Sequence, residues 1–245
     1  MHRRPDNTIS KILFHTIKPL LNEVDTVICF ARSQVLYWQR VYGYDNVYFV
    51  PFGVDVEEYR PCFNKMLPYI VSGGRSDRDF DTLIKAVKKL PNHVKVYIAY
   101  GKDTVTFKNP TLSLRDVMQL QHVKLFYELS RRLYIKLLEN AMFVVVPLKR
   151  TYYATGHTAI LEAMAMGKTV ITSHIPSVLD YVEDWRTGIF FEHSNPQDLK
   201  QKIEHLLNMP EILVKIGLNA RKAVEQQFNL KIMLKSIIDI IRRMS

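Results

Sequence analysis

The residues Gly156–Ser173, GHTAILEAMAMGKTVITS, join a small polar turn to a short helical pattern, a glycine and an apolar strand pattern. A helix beginning at such a turn presents unpaired backbone N–H groups and partial positive charge, which suits a phosphate. Thr155, Gly156, His157 and Thr158 form that mouth. Glu162 follows Thr158 by four residues and Thr155 by seven, on one helical face. At a rise of ~1.5 Å per residue, it lies roughly 6 Å along the axis from Thr158. That offset is about the distance from a diphosphate to the hydroxyls of its ribose, and a carboxylate accepts two hydrogen bonds from a vicinal diol. The same spacing describes a capped amphipathic helix whose lone glutamate faces water. Spacing does not choose between the two.

A second polar turn, Gly73-Gly74-Arg75-Ser76-Asp77-Arg78-Asp79, follows the apolar run YIVSG. Its glycines let backbone approach a ligand closely, and Arg75 and Arg78, three apart, can clamp a diphosphate from one side. The turn has neither the G-x-G-x-x-G spacing of dinucleotide sites nor the Lys and Ser/Thr of a P-loop. A glycine turn flanked by surface arginines is the plainer alternative.

These turns need a frame to hold them. DTVICFA (25–31), VYFVP (47–51), YIVSG (69–73), VKVYIAY (94–100), VKLFY (123–127), FVVVPL (143–148) and KTVITS (168–173) are short, apolar and rich in β-branched or aromatic residues. Such near-continuous apolar runs are expected of parallel strands covered on both faces. Helical patterns alternate with them, among them DTLIKAVKKL, SRRLYIKLLENA and AILEAMAM. The order predicts an α/β fold with a doubly wound parallel sheet, in which ligands bind beyond the carboxyl ends of the strands. Both polar turns fall there. PFGVDVEEYRPCFNKMLP (51–68) reads as a linker, and residues 1–50 hold too few elements for a core of their own. After Phe190 the pattern is helical to the end, with Asn195 as an N-cap and Pro196 at the first helical position. The last segment, NLKIMLKSIIDIIRRM, has one apolar face and should lie on another surface.

Hydrophobic residues at 47% and charged residues at 24% describe an ordinary globular chain, without the ~20-residue apolar run that spans a bilayer. The opening MHRRPDNTISKILFH lacks the apolar core of a secretory signal. Two cysteines, Cys29 and Cys62, make no disulfide framework, so a cytoplasmic setting is expected. The net charge of +10 favours anionic partners. Lys85, Lys88, Lys89, Arg131, Arg132, Lys200 and Lys202 are scattered among helices, and no zinc-finger or RNA-binding signature accompanies them, which argues against nucleic acid. Arg242 and Arg243 follow the apolar IIDII, and Arg3 and Arg4 lie at the other end. Either pair suits an anionic membrane surface, or simply meets water.

In order along the chain, VPFGVD, SGGRSDRDFDTLIKAV, LLENAMFVVVPL and GHTAILEAMAMGKTVITSHIPSVLDYVEDWRTGIFF resemble the donor-binding half of family 4 glycosyltransferases. Those are retaining enzymes of GT-B fold, with two Rossmann-like domains facing across a cleft. The resemblance implies three parts: residues 1–62 as a remnant of an acceptor domain plus linker, 63–228 as a donor nucleotide-sugar domain, and 229–245 as a helix packing back on the N-terminal part. It also implies hexose transfer from a nucleoside diphosphate sugar to an acceptor hydroxyl, with no cofactor and no metal. By the same resemblance Arg75 and Arg78 neutralise the diphosphate, backed by Gly73 and Gly74. The amides of His157 and Thr158 meet the distal phosphate at the turn that begins with Thr155 and Gly156, Glu162 holds the ribose, and Tyr127 and Leu129 fall at the base pocket.

The family usually carries a second glutamate seven residues before the ribose glutamate, reaching the transferred sugar. Here that position is Ala154. Tyr153 and His157 are candidates for the missing contacts, although His157 is equally a helix-start residue facing water. Only the last part of the family's acceptor domain is matched, so its active-site histidine has no counterpart, and His15 is not assigned to it. A separate acceptor-binding subunit is one expectation. A non-catalytic nucleotide-sugar-binding module and a nucleotide-sugar epimerase are alternatives, whereas a Rossmann oxidoreductase fits neither glycine turn.

Overall fold

A computed structural model describes residues 23–61, 66–74, 76–102, 117–151 and 153–244. Arg75, Cys62, His15, Arg3 and Arg4 lie outside the described residues. The chain first forms a small parallel pair, β1 (Val27–Cys29) and β2 (Val47–Phe49), joined through α1 (Arg32–Tyr37) and a π-helical turn, Trp38–Tyr42. Gly43, in the left-handed region at φ 62°, ends that turn.

The main sheet contains β3 (Tyr69–Gly73), β4 (Lys95–Tyr100), β5 (Val123–Tyr127), β6 (Phe143–Val146), β7 (Val170–Ser173) and β8 (Ile189–Phe191). Its order is β5-β4-β3-β6-β7-β8, and every neighbouring pair is parallel. This is the doubly wound arrangement expected from the alternating strand and helix patterns. β3, β6 and β7 are buried at every residue, which explains why their sequences show no polar alternation. β8 ends at Phe191 and only helices follow it among the described residues, as expected after Phe190, but the strand itself is not among the apolar runs expected to form the sheet. Three residues behind the DWRTG turn are too short to announce a strand, and β8 forms because Ile189 pairs with Ile171 and packs with it and Phe191 in one core.

Alternate residues of each strand feed two separate cores. Ile70, Phe143, Val145, Ile171 and Ile189 face α2 (Phe80–Val87) and α5 (Pro196–Asn208). Val71, Val144, Val146 and Val170 face α3 (Arg131–Asn140), α4 (His157–Ala165) and α6 (Pro210–Gln227). In α2 the buried residues Phe80, Leu83, Ile84 and Val87 follow the helical repeat, and the Asp79 carboxylate caps the helix by accepting from the Thr82 N–H at 3.2 Å. Asn195 caps α5 by accepting from the N–H groups of Gln197 and Asp198, both at 3.0 Å, with Pro196 in the first turn.

The last helix, α7 (Leu230–Arg242), starts against the segment that follows β2. The Leu230 N–H donates to the Val54 carbonyl at 3.0 Å, and the Val54 N–H to the Phe228 carbonyl at 2.9 Å. Helix α6 crosses the end of α4 so closely that a Cβ on Gly217 would lie 2.0 Å from the Gly167 carbonyl oxygen. Backbone cannot yield cheaply there. Gly217→Ala should therefore cost about 1–3 kcal/mol through overpacking, read as a fall of several degrees in the thermal midpoint. An unchanged midpoint would show that the two helices are not locked together.

Candidate functional site

In this strand order β3 and β6 lie side by side, while the chain leaves them in opposite directions. Such a switch point opens a crevice at the carboxyl ends of the strands. The loop after β3 and the loop after β6 part here around a cleft of about 670 Å³. Gly74, Asp77, Arg78, Leu129, Thr155, Gly156, Thr158 and Glu162 all line it.

Helix α4 opens into this cleft. Gly156 takes the N-cap position in the left-handed region at φ 78°, and no side chain caps the helix. The first bond closing the helix runs from the Ile160 N–H to the Gly156 carbonyl at 3.0 Å, so the preceding N–H groups have no acceptor within the helix. That end of the helix favours an anion.

Arg78 lies across from it and is only 7% exposed, which rules out the surface-arginine alternative. Its Nε donates to the Gly73 carbonyl at 2.9 Å and its Nη1 to the Ser76 carbonyl at 3.0 Å. Burial pulls the guanidinium below its ordinary pKa, while Tyr134, Asp77 and Glu162 act the other way. Gly74, at φ 128°, makes room for this cation, since a Cβ there would sit 2.3 Å from Arg78 Nη2. Gly74→Ala is expected to displace the guanidinium and weaken binding of UDP, used as a diphosphate probe; titration of the variant measures it. Gly73 stands behind the cleft wall, packed on the Tyr134 ring and lending its carbonyl to Arg78.

Glu162 is 2% exposed, so the water-facing alternative fails. Its Oε1 accepts from Arg131 Nη2 at 2.9 Å and from the Tyr59 hydroxyl at 3.1 Å. Burial raises the carboxyl above its ordinary pKa, opposed by the charge and hydrogen bond of Arg131. Sequence reasoning missed both partners. In the sequence Arg131 reads as one of the scattered helical cations, although its place just past the carboxyl end of β5 is an available signal. Tyr59 sits in the non-periodic 51–68 segment and is 103 positions from Glu162, so no local pattern reveals it.

His157 requires a correction. Its side chain does not face water; Nε2 lies 2.7 Å from the Ser177 carbonyl, and its ring packs on Tyr181 with centroids 4.3 Å apart. The imidazole therefore stands away from the cleft, and only the backbone of His157 belongs to the helix mouth. Tyr127 is 58% exposed, its ring tilted against that of Tyr100 beside the cleft; Leu129 and Glu128 line the wall there instead. Among the described residues no group of three His, Cys, Asp or Glu side chains could hold a metal ion. Among them, too, no helix is long and apolar enough to cross a membrane.

Burial lowers the His157 pKa from 6.5 to about 4. Between these values the unfolded chain binds a proton that the folded chain refuses, so stability is full above the unfolded value and declines as pH falls. By pH 5 the loss from this group is about 2 kcal/mol. Urea midpoints at pH 7.5 and 5 measure it, and His157→Gln should flatten the difference. An equal pH difference in the variant would place the titration elsewhere.

Residues 60–223 match the family model of the group 1 glycosyl transferases, which spans more than half of the chain. The chain belongs to the group 1 glycosyltransferases. The chain is 30% identical over 142 residues to an uncharacterised glycosyltransferase of Methanocaldococcus jannaschii, a match covering 58% of the chain and 38% of that relative. It shares its fold with HepE of Anabaena, solved in complex with UDP and glucose, at a TM-score of 0.82 and 17% identity, over 95% of this chain and 67% of that one. The C-terminal domain of a group 1 glycosyl transferase, LpcC of Francisella tularensis, aligns over its whole length with 73% of this chain, at a TM-score of 0.60 and 18% identity.

Proposed function

We propose that this glycosyltransferase binds a nucleoside diphosphate sugar in the cleft and transfers its hexose to an acceptor hydroxyl with retention, as family 4 enzymes do. One observation carries the reading. The open mouth of α4, the buried Arg78 guanidinium and the buried Glu162 carboxylate surround a single cleft at the topological switch point. The diphosphate lies at the helix mouth with Arg78 beside it, and the ribose hydroxyls bond Glu162 further along. Leu129 and the end of β5 border the base.

In the reaction the bond between the sugar's anomeric carbon and the diphosphate breaks. The acceptor oxygen bonds the same carbon on the same face, and its proton passes to a phosphate oxygen. Negative charge grows on the leaving diphosphate, and pre-aligned N–H groups and arginines stabilise it without reorganising. In this reading Arg75 joins Arg78, and the pair does what a divalent ion does in other transferases. The acceptor half comes from further chain or from a separate subunit. The half-exposed apolar residues Leu234, Ile238 and Ile241 of α7, next to Arg242, suit such a subunit or an anionic membrane surface.

Titrating the protein with UDP, GDP and ADP, and with their glucose or mannose esters, tests donor binding. Product analysis by NMR with added acceptor alcohols reads transfer and the anomeric configuration, and EDTA should leave the rate unchanged. Failure of every nucleotide to bind would overturn the reading. Binding without turnover under any acceptor would favour the donor-binding module, for which Ala154 is the supporting observation.

A further inference from the structure

The Asp77 carboxylate stands at the opposite end of the α4 mouth from Glu162. Asp77 lines the cleft, and its Oδ2 accepts from the Tyr153 hydroxyl at 2.9 Å and from the Thr155 hydroxyl at 3.3 Å. Those two donors flank Ala154, which lines the same wall. The carboxylate of the β3 loop is thus held against the β6 loop just before α4 begins. A second tie fixes the backbone: the Lys149 N–H donates to the Asp77 carbonyl at 2.8 Å, with Asp77 in the left-handed region at φ 54°. Aspartate tolerates that region better than most residues, but the conformation still has to be held in place by its surroundings.

Among the described residues only Oδ2 of this carboxylate is engaged. A second anion beside an anion-binding helix mouth is unfavourable for a bare diphosphate. It becomes useful if the ligand continues past the phosphates with hydroxyl donors. Along the α4 axis the order is Glu162, the helix mouth, and then Asp77 with Tyr153. A nucleoside diphosphate sugar presents ribose, diphosphate and sugar in the same order.

We propose that Asp77, held by Tyr153 and Thr155, accepts hydrogen bonds from hydroxyls of the transferred sugar, standing in for the glutamate that Ala154 lacks. The inference rests on the nucleotide-sugar reading of the cleft and deepens it. His157 cannot serve in this way, because its ring is committed to the Ser177 carbonyl. The replacement comes from a different loop, so it is invisible to a motif count along the α4 segment.

Asp77→Asn separates a sugar contact from a merely structural tie. The amide oxygen still accepts from Tyr153 and Thr155, while the charge and the second acceptor are lost. UDP and UDP-glucose serve as probes, with GDP and GDP-mannose in their place if those bind the wild-type protein more tightly. The expected result is UDP affinity within about threefold of wild type and UDP-glucose affinity about tenfold or more weaker. Partial recovery in Asp77→Asn/Ala154→Glu, where a carboxylate returns from the other loop, would support the same assignment. Equal weakening of both probes would show that Asp77 only holds the loops, and no change in either would show that it touches no sugar. Both results overturn the proposal while leaving the nucleotide reading of the cleft standing. A wild-type protein that binds none of the probes overturns the cleft reading itself, and the sugar contact with it.

Discussion

Arg78→Ala is expected to lower the proposed transfer by about two to three orders of magnitude, the usual consequence of removing one preorganised group that stabilises developing negative charge. The buried guanidinium has two tasks. It lines the cleft opposite the mouth of α4, and through Nε and Nη1 it holds the carbonyls of Gly73 and Ser76, giving the β3 loop its shape. Alanine removes both. Binding should separate along the ligand: UDP weakens strongly, while uridine, which has no phosphate, changes little. Lysine at this position restores a charge without the planar fork that grips two carbonyls, so Arg78→Lys falls between wild type and alanine. Equal weakening of UDP and uridine would show that the residue acts only on the fold.

Glu162→Gln weakens UDP by ~1–3 kcal/mol, the range for hydrogen bonds to a charged group. Glutamine keeps the shape and an acceptor for Arg131 and Tyr59, so the loss reports the carboxylate rather than a cavity. A 2′,3′-dideoxyribose analogue of UDP should bind wild type and variant alike, because it carries no diol. Equal discrimination against the analogue by both proteins would remove Glu162 from the ribose site. The pH dependence follows from burial, which raises this carboxyl above the ordinary carboxylate range. The ionised form, which in the proposed reading accepts both ribose hydroxyls, is complete only above that raised value. UDP affinity therefore declines as pH falls through it, and the variant lacks this slope.

Arg131 holds Glu162 from outside α4. It is 53% exposed at its side chain, yet it supplies a short ion pair to a carboxylate that is 2% exposed. A buried carboxylate left unpaired is costly, and a half-exposed arginine gives less than a buried one because water screens it. Tyr59 adds a neutral donor to the same oxygen. The site thus holds Glu162 from one side by groups outside α4, and keeps the helix mouth open to the ligand on the other.

The amino-acid sequence by itself determined the strands β1 to β7, the order of the layers and the two glycine turns. Burial on both faces imposes continuous apolar runs such as FVVV and YIVSG, and caps such as Asn195-Pro196 are written within one turn of the helix they start. Glu162 and the mouth of α4 were legible for the same reason, since both lie in one helical segment. What only the tertiary structure decided was which long-range partners meet them. Tyr59 and Arg131 reach Glu162, Asp77 reaches the residues flanking Ala154, and His157 turns inward to Ser177, because the sheet order brings distant loops to one crevice. Local periodicity carries the direction of a side chain relative to its own element, and no information on what another loop places in front of it.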